Sequence, residues 1–97
     1  MEVKIQAIHF DIADRLVEFI NKKAQRLTRR YDAITDIDVT LKVVKPETAM
    51  NKEAVIRAVA PQLEDIVATK TADTFEEAVD LALEAVERQL EKRSAKR

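Results

Sequence analysis

Between Arg15 and Arg30 the chain sets out Lys22, Lys23, Arg26, Arg29 and Arg30 with only Glu18 among them. On a wheel of ~100° per residue, Lys22, Arg26 and Arg29 fall within about 40° of Arg15, with Arg30 and Lys23 close beside them. Almost no acid is interleaved to form the i,i+4 pairs of an ordinary solvated face. The chemistry open to such a stripe is neutralisation of a polyanion, because each cation can donate a charge-assisted hydrogen bond to a phosphate. Arg88, Lys92 and Arg93 form a second basic group near the C-terminus.

Other chemistries find less to work with. His9 is the only histidine, and it stands beside Phe10 where a strand is expected to end. A lone histidine of this kind is a structural or surface residue far more often than a catalyst. Asp36 and Asp38 share a strand face and form a carboxylate pair in name, although a solvated face explains them as well. A catalytic reading needs His9, Asp36 and Asp38 to meet in one deep pocket. Cysteine and glycine are both absent. Thiolate metal sites and glycine-rich phosphate loops are therefore excluded, and no spacing of ligands suggests a metal. No catalytic residue, cofactor or small-molecule substrate is expected.

The net charge of −1 hides blocks of opposite sign. One lysine against three acids leaves −2 in residues 1–14, and six bases against Glu18 leave +5 in 15–30. Five bases against thirteen acids leave −8 in 31–87, and five against Glu91 leave +4 in 88–97. Two short basic segments in an acidic chain make a polyanion-facing surface if the fold unites them. A chain of 97 residues with 46% hydrophobic content is read as a single domain spanning 1–97. No apolar run reaches the ~20 residues of a membrane span, so no membrane partner and a cytoplasmic location are expected.

The elements that must position the cations are legible from periodicity. Residues 74–92 place Phe75, Ala78, Val79, Ala82, Leu83, Val86 and Leu90 on one helical face, opened by a Thr74/Glu77 capping box. Residues 12–30 place Leu16, Ile20, Ala24 and Leu27 on one face, with Asp11 as the expected N-cap. Alternation marks strands at 2–8, 34–45, 53–60 and 63–71, with breaks at Pro46–Asn51 and Pro61–Gln62. The order β-α-β-β-β-α, with its last three strands as an antiparallel meander, predicts an α+β two-layer sandwich. Both helices should cover one face of a four-stranded sheet. Residues 93–97 are expected to be a basic tail.

In order and spacing these residues resemble the short ribosome hibernation promoting factors, the group that includes the ribosome-associated inhibitor called protein Y. In the first helix the pattern is carried by Ile12, Leu16, Phe19, Ile20, Lys23, Arg26 and Leu27, followed by Tyr31 and Asp32. Val39, Leu41, Lys42 and Val43 match a strand, and Asp73, Phe75, Ala78, Val79, Asp80, Arg88, Gln89, Leu90 and Lys92 match the last helix. The chain departs from the pattern at Phe75, where the family has tyrosine, and at Ala85, where a basic residue is common. Leu63 likewise falls at the turn after the third strand, where glycine is usual.

The resemblance implies binding to the small ribosomal subunit and its rRNA, in the cleft over the decoding region. Occupying the mRNA and tRNA sites there would hold ribosomes inactive in stationary phase or stress. It implies RNA-binding roles for Lys22, Lys23, Arg26, Arg29, Arg30, Lys70, Arg88, Lys92 and Arg93. A core of this order with basic helices is also similar to double-stranded RNA-binding domains, which read backbone shape. The family's long form adds a C-terminal dimerisation domain, so in a short form any pairing of ribosomes would fall to a separate dimerising factor. The alternative from another class is a small protein-interaction module that uses the exposed sheet face.

Overall fold

The computed structural model describes residues 2–45, 49–61 and 63–95, with 93–95 in backbone only. Six elements follow in the expected order: β1 (Glu2–Ala7), α1 (Asp14–Arg30), β2 (Asp36–Val43), β3 (Lys52–Val59), β4 (Ile66–Ala72) and α2 (Phe75–Ala95). The sheet order is β1-β2-β3-β4. β1 pairs with β2 in parallel, because α1 carries the chain back along the sheet between them. The meander of β2, β3 and β4 is antiparallel throughout.

Strand alternation fixes which face is covered. Ile37, Val39 and Leu41 of β2 and Ala54, Ile56 and Ala58 of β3 are buried beneath the helices, as are Ile66, Ala68 and Ala72 of β4. Leu16, Ile20, Ala24 and Leu27 descend from α1, and Ala78, Val79, Ala82, Leu83, Val86 and Leu90 from α2. Each large aliphatic side chain in this layer contributes about 1.5–3 kcal/mol by leaving water. β1 is the lighter edge, with Val3 and Ile5 only partly buried against the same core.

Several boundaries differ from the periodicity reading. α1 begins at Asp14 with Ala13 as its N-cap and no side-chain cap bond, so Asp11 does not cap it. The chain first turns through His9, whose φ of 61° is left-handed and takes the strand direction away from the sheet. β4 starts at Ile66 rather than at Leu63, because residues 64 and 65 still belong to the connection. Asp65 there receives the Arg57 side chain, with Arg57 Nε donating at 2.7 Å. α2 opens as expected, with the Glu77 N–H donating to Thr74 Oγ1 at 3.1 Å. It then runs to Ala95, so the backbone of Arg93 is helical. Pro46 and Gln62, expected in turns, lie outside the described residues.

A chain without glycine must turn with other residues. His9, Lys45 and Met50 all take positive φ, a conformation that is costly for any residue carrying a Cβ. At Met50 the strained turn is held from outside, since its N–H donates to Asp73 Oδ1 at 2.7 Å.

Candidate nucleic-acid interface

Topology decides how the two helices lie. Each descends antiparallel to the strand before it, and β1 and β4 point the same way, so α1 and α2 run parallel. The side chains agree. Lys23 Nζ lies 3.4 Å from Asp80 Oδ1, and seven residues further along both helices Arg30 pairs with Glu87. Arg30 also reaches Glu91 at 4.0 Å. Because Arg30 sits level with Glu87, the rest of α2 to Ala95 overhangs α1 by about 12 Å at the helical rise.

Between the helices lies a cleft with Lys23, Arg26 and Arg30 on the α1 wall, Asp80, Glu84 and Glu87 on the α2 wall, and Leu27 and Leu83 beneath. The basic stripe of α1 thus divides in two. Lys23 and Arg30 face α2 and are ion-paired across the cleft. Lys22, Arg26 and Arg29, at i, i+4 and i+7, form a row of exposed cations that make no ion pair among the described residues, with Arg26 at the rim of the cleft and Lys22 and Arg29 outside it. On α2, Arg88 is held by Glu84 at 2.6 Å, one turn earlier, while Lys92 is exposed and likewise makes no ion pair. Lys70 is exposed on edge strand β4, opposite the buried Ala54 in register, which puts it on the helix side of the sheet. The side chain of Arg93 lies outside the described residues.

The acids of α2 were not part of the expected site. Their signal was available, since Asp80, Glu84, Glu87 and Glu91 recur at helical spacing along one face. What the sequence could not supply was the pairing of that face with α1. The two cleft-facing cations of α1 also lie against aromatic rings. Lys23 Nζ lies 5.4 Å above the Phe19 ring, and the Arg30 guanidinium carbon lies 5.8 Å from the Tyr31 ring centre. At the opposite end, Phe75 stacks on Phe10 with centroids 4.9 Å apart and planes at 11°, so a ring without a hydroxyl has a packing role there.

Tyr31 reports on the same end of the cleft. Its hydroxyl pKa is raised from the ordinary 10.0, first by burial and then by the Glu91 charge, with Glu87 adding to the rise and Arg30 opposing it. The folded state therefore holds this proton more tightly than the unfolded chain. That contribution to stability is complete below about pH 10 and is lost as pH rises through the folded value. Tyr31 is the only tyrosine, so ultraviolet titration reads it alone. The midpoint is expected above 10, lower in Glu91→Gln and higher in Arg30→Ala. An unshifted midpoint in both variants would mean that the cleft charges do not reach the phenol.

The outer sheet face has a different character. Across the strands Lys4, Asp38, Arg57 and Val67 lie in one row, and Lys42 pairs with Glu53 at 3.7 Å. Charges alternate there, and no basic stripe forms. His9 does not meet Asp36 and Asp38. It follows the end of β1 that is level with Leu41, five residues along β2 from Asp36 or about 16 Å at the strand rise. No cluster of three potential metal ligands occurs among the described residues. No described helix is long and apolar enough to cross a membrane.

Comparison with known proteins resolves the family. Residues 3–97 match the family described as sigma 54 modulation protein / S30EA ribosomal protein. The chain belongs to that family. It is 29% identical over 96 residues to a ribosome hibernation promoting factor of Azotobacter vinelandii, covering 99% of this chain and 85% of the relative. A ribosomal subunit interface protein from Coxiella burnetii superposes with a TM-score of 0.86 at 26% identity, covering 98% of this chain and 99% of that one. The N-terminal domain of Thermus thermophilus protein Y shares the fold, with a TM-score of 0.78 at 22% identity over 95% of this chain and 98% of the other.

Proposed function

We propose that this protein is a ribosome-associated translation inhibitor that binds rRNA of the small subunit over the decoding region. There it would fill space needed by mRNA and tRNA and hold ribosomes in a hibernating state. Family membership over residues 3–97 is the observation that carries this reading. The helix layer supplies a compatible surface, with Lys22, Arg26 and Arg29 exposed and without carboxylate partners. Binding by such a surface releases condensed counterions, so it weakens steeply as salt rises. On a duplex the slope is about −0.9 per phosphate neutralised, and rRNA shares its sign.

Sedimentation of cell lysate through sucrose gradients tests the proposal. The protein is expected with small subunits or whole ribosomes at low salt, shifting to the top of the gradient over a few-fold rise. Migration as free protein at low salt with ribosomes in excess would count against the proposal. Co-sedimentation unaffected by salt would point to contacts with ribosomal proteins instead.

A further inference from the structure

The cations of the helix layer are not equally available. Arg30, Arg88 and Lys23 are each held by a carboxylate of α2, while the outer row of α1 is not. All of these pairs are in contact with solvent. Arg30 is 64% exposed and its partner Glu87 29%, and Arg88 and Glu84 are 72% and 57% exposed. Exposed pairs are weak, typically under about 1 kcal/mol, so they add little to the fold. Their larger effect is on anything negatively charged that approaches. A phosphate chain lying along the cleft passes directly over Glu84 and Glu87 and must displace them from their arginines. One lying along the outer row meets Lys22 and Arg29 away from the cleft and Arg26 at its rim, none of them paired with an acid.

We propose that Glu84 and Glu87, with Asp80, are specificity determinants of the helix layer. They repel flexible polyanions that would settle anywhere along the cleft, and admit an RNA whose phosphates are fixed over the outer row. This inference rests on the ribosomal reading above for the identity of the favoured RNA. The principle is discrimination by an unfavourable charge placed against the wrong partner, at little cost to the right one. It also gives the acidic face of α2 a role that fold stability does not require.

The test compares the parent with Glu84→Gln/Glu87→Gln, measuring affinity for poly(U) and for purified ribosomes at several salt concentrations. Glutamine keeps the shape and a carbonyl acceptor while removing both charges. Poly(U) affinity is expected to rise about five- to thirty-fold, from two exposed pairs at about 0.5–1 kcal/mol each. Ribosome affinity should rise less, so the ratio between the two falls. A control, Glu53→Gln/Asp65→Asn, adds the same net charge and frees Lys42 and Arg57 on the sheet face. It should leave poly(U) binding within about two-fold, since Asp38 still stands between Lys4 and Arg57 and the freed cations form no continuous row.

Unchanged poly(U) affinity in the helix variant would overturn the inference, and so would an equal rise in the control. Glu84→Gln alone, with about half the effect on a logarithmic scale, checks the result in a variant that removes a single charge. The ribosomal reading fails separately. If the parent does not bind ribosomes at low salt that reading falls, while the poly(U) comparison still decides what the acids do.

Discussion

Arg26→Glu together with Arg29→Glu is expected to reduce ribosome binding about a hundred-fold or more, with the fold intact. Both side chains are exposed, and neither makes an ion pair among the described residues, so no native contact of this kind is broken. Hydrogen bonds to charged groups are worth roughly 1.5–3 kcal/mol each, and two lost phosphate partners account for the fold-change before repulsion is counted. Stability should fall by no more than about 1 kcal/mol. Arg29 lies in the last turn of α1, where a carboxylate faces unpaired backbone carbonyls, and this is the main source of the loss. Co-sedimentation and a thermal melt on the same preparation measure both quantities. Binding at the parental level would show that the outer row does not contact RNA, and the proposed site would have to move to α2 or to the sheet.

Leu27→Ala should have the opposite profile. Leu27 is 5% exposed, one residue from Arg26 but on the core side of α1, and it forms the floor of the cleft with Leu83. Removing a buried leucine side chain costs about 2–5 kcal/mol through lost transfer energy and the cavity left behind. In a domain of this size each kcal/mol lowers the melting temperature by roughly 4–8 °C, so a fall of about eight degrees or more is expected. The molecules that remain folded keep all their cations and should bind ribosomes as the parent does. A parental melting temperature would mean that the cleft floor closes over the gap. Weak binding by fully folded protein would tie Leu27 to the interface itself.

These two neighbours also show where the sequence was legible. A residue's position on the wheel separated Leu27 from Arg26 without coordinates, since burial of an amphipathic helix follows its period. The same reasoning, from strand alternation, put Ile37, Val39, Leu41 and Val43 on one strand face, of which the first three are buried and Val43 at the strand end is exposed, and it identified the antiparallel meander. It misplaced the cap of α1, because Asp11 has the right chemistry for a cap but the left-handed turn at His9 delays the helix to Asp14. It also took the stripe from Lys22 to Arg30 as one surface. Lys23 and Arg30 are turned toward α2, where the acids that neutralise them lie 57 residues further along the chain. Local periodicity carries no information about which two helical faces meet, so the division of the stripe became visible only with the helices in place.

Parallel packing of α1 and α2 has a consequence for how far the protein's charge is felt. Helix dipoles leave about half a unit of negative charge at each C-terminal end, and in a parallel pair those ends point the same way instead of cancelling, here staggered by the overhang of α2. Arg29 and Arg30 stand at one such end and Lys92 near the other. At the N-terminal ends the backbone is positive, and there the side chains are Asp14 beside Arg15 on α1 and Glu76 and Glu77 on α2, a net excess of acid. Side-chain charge thus opposes backbone charge at both ends of the layer, and the molecule as a whole carries only −1. Seen from beyond a Debye length of about 8 Å, little field remains to draw a polyanion in. On the proposed ribosomal reading, encounter with RNA would then be unsteered diffusion, and the attraction of the basic row would take hold only at contact.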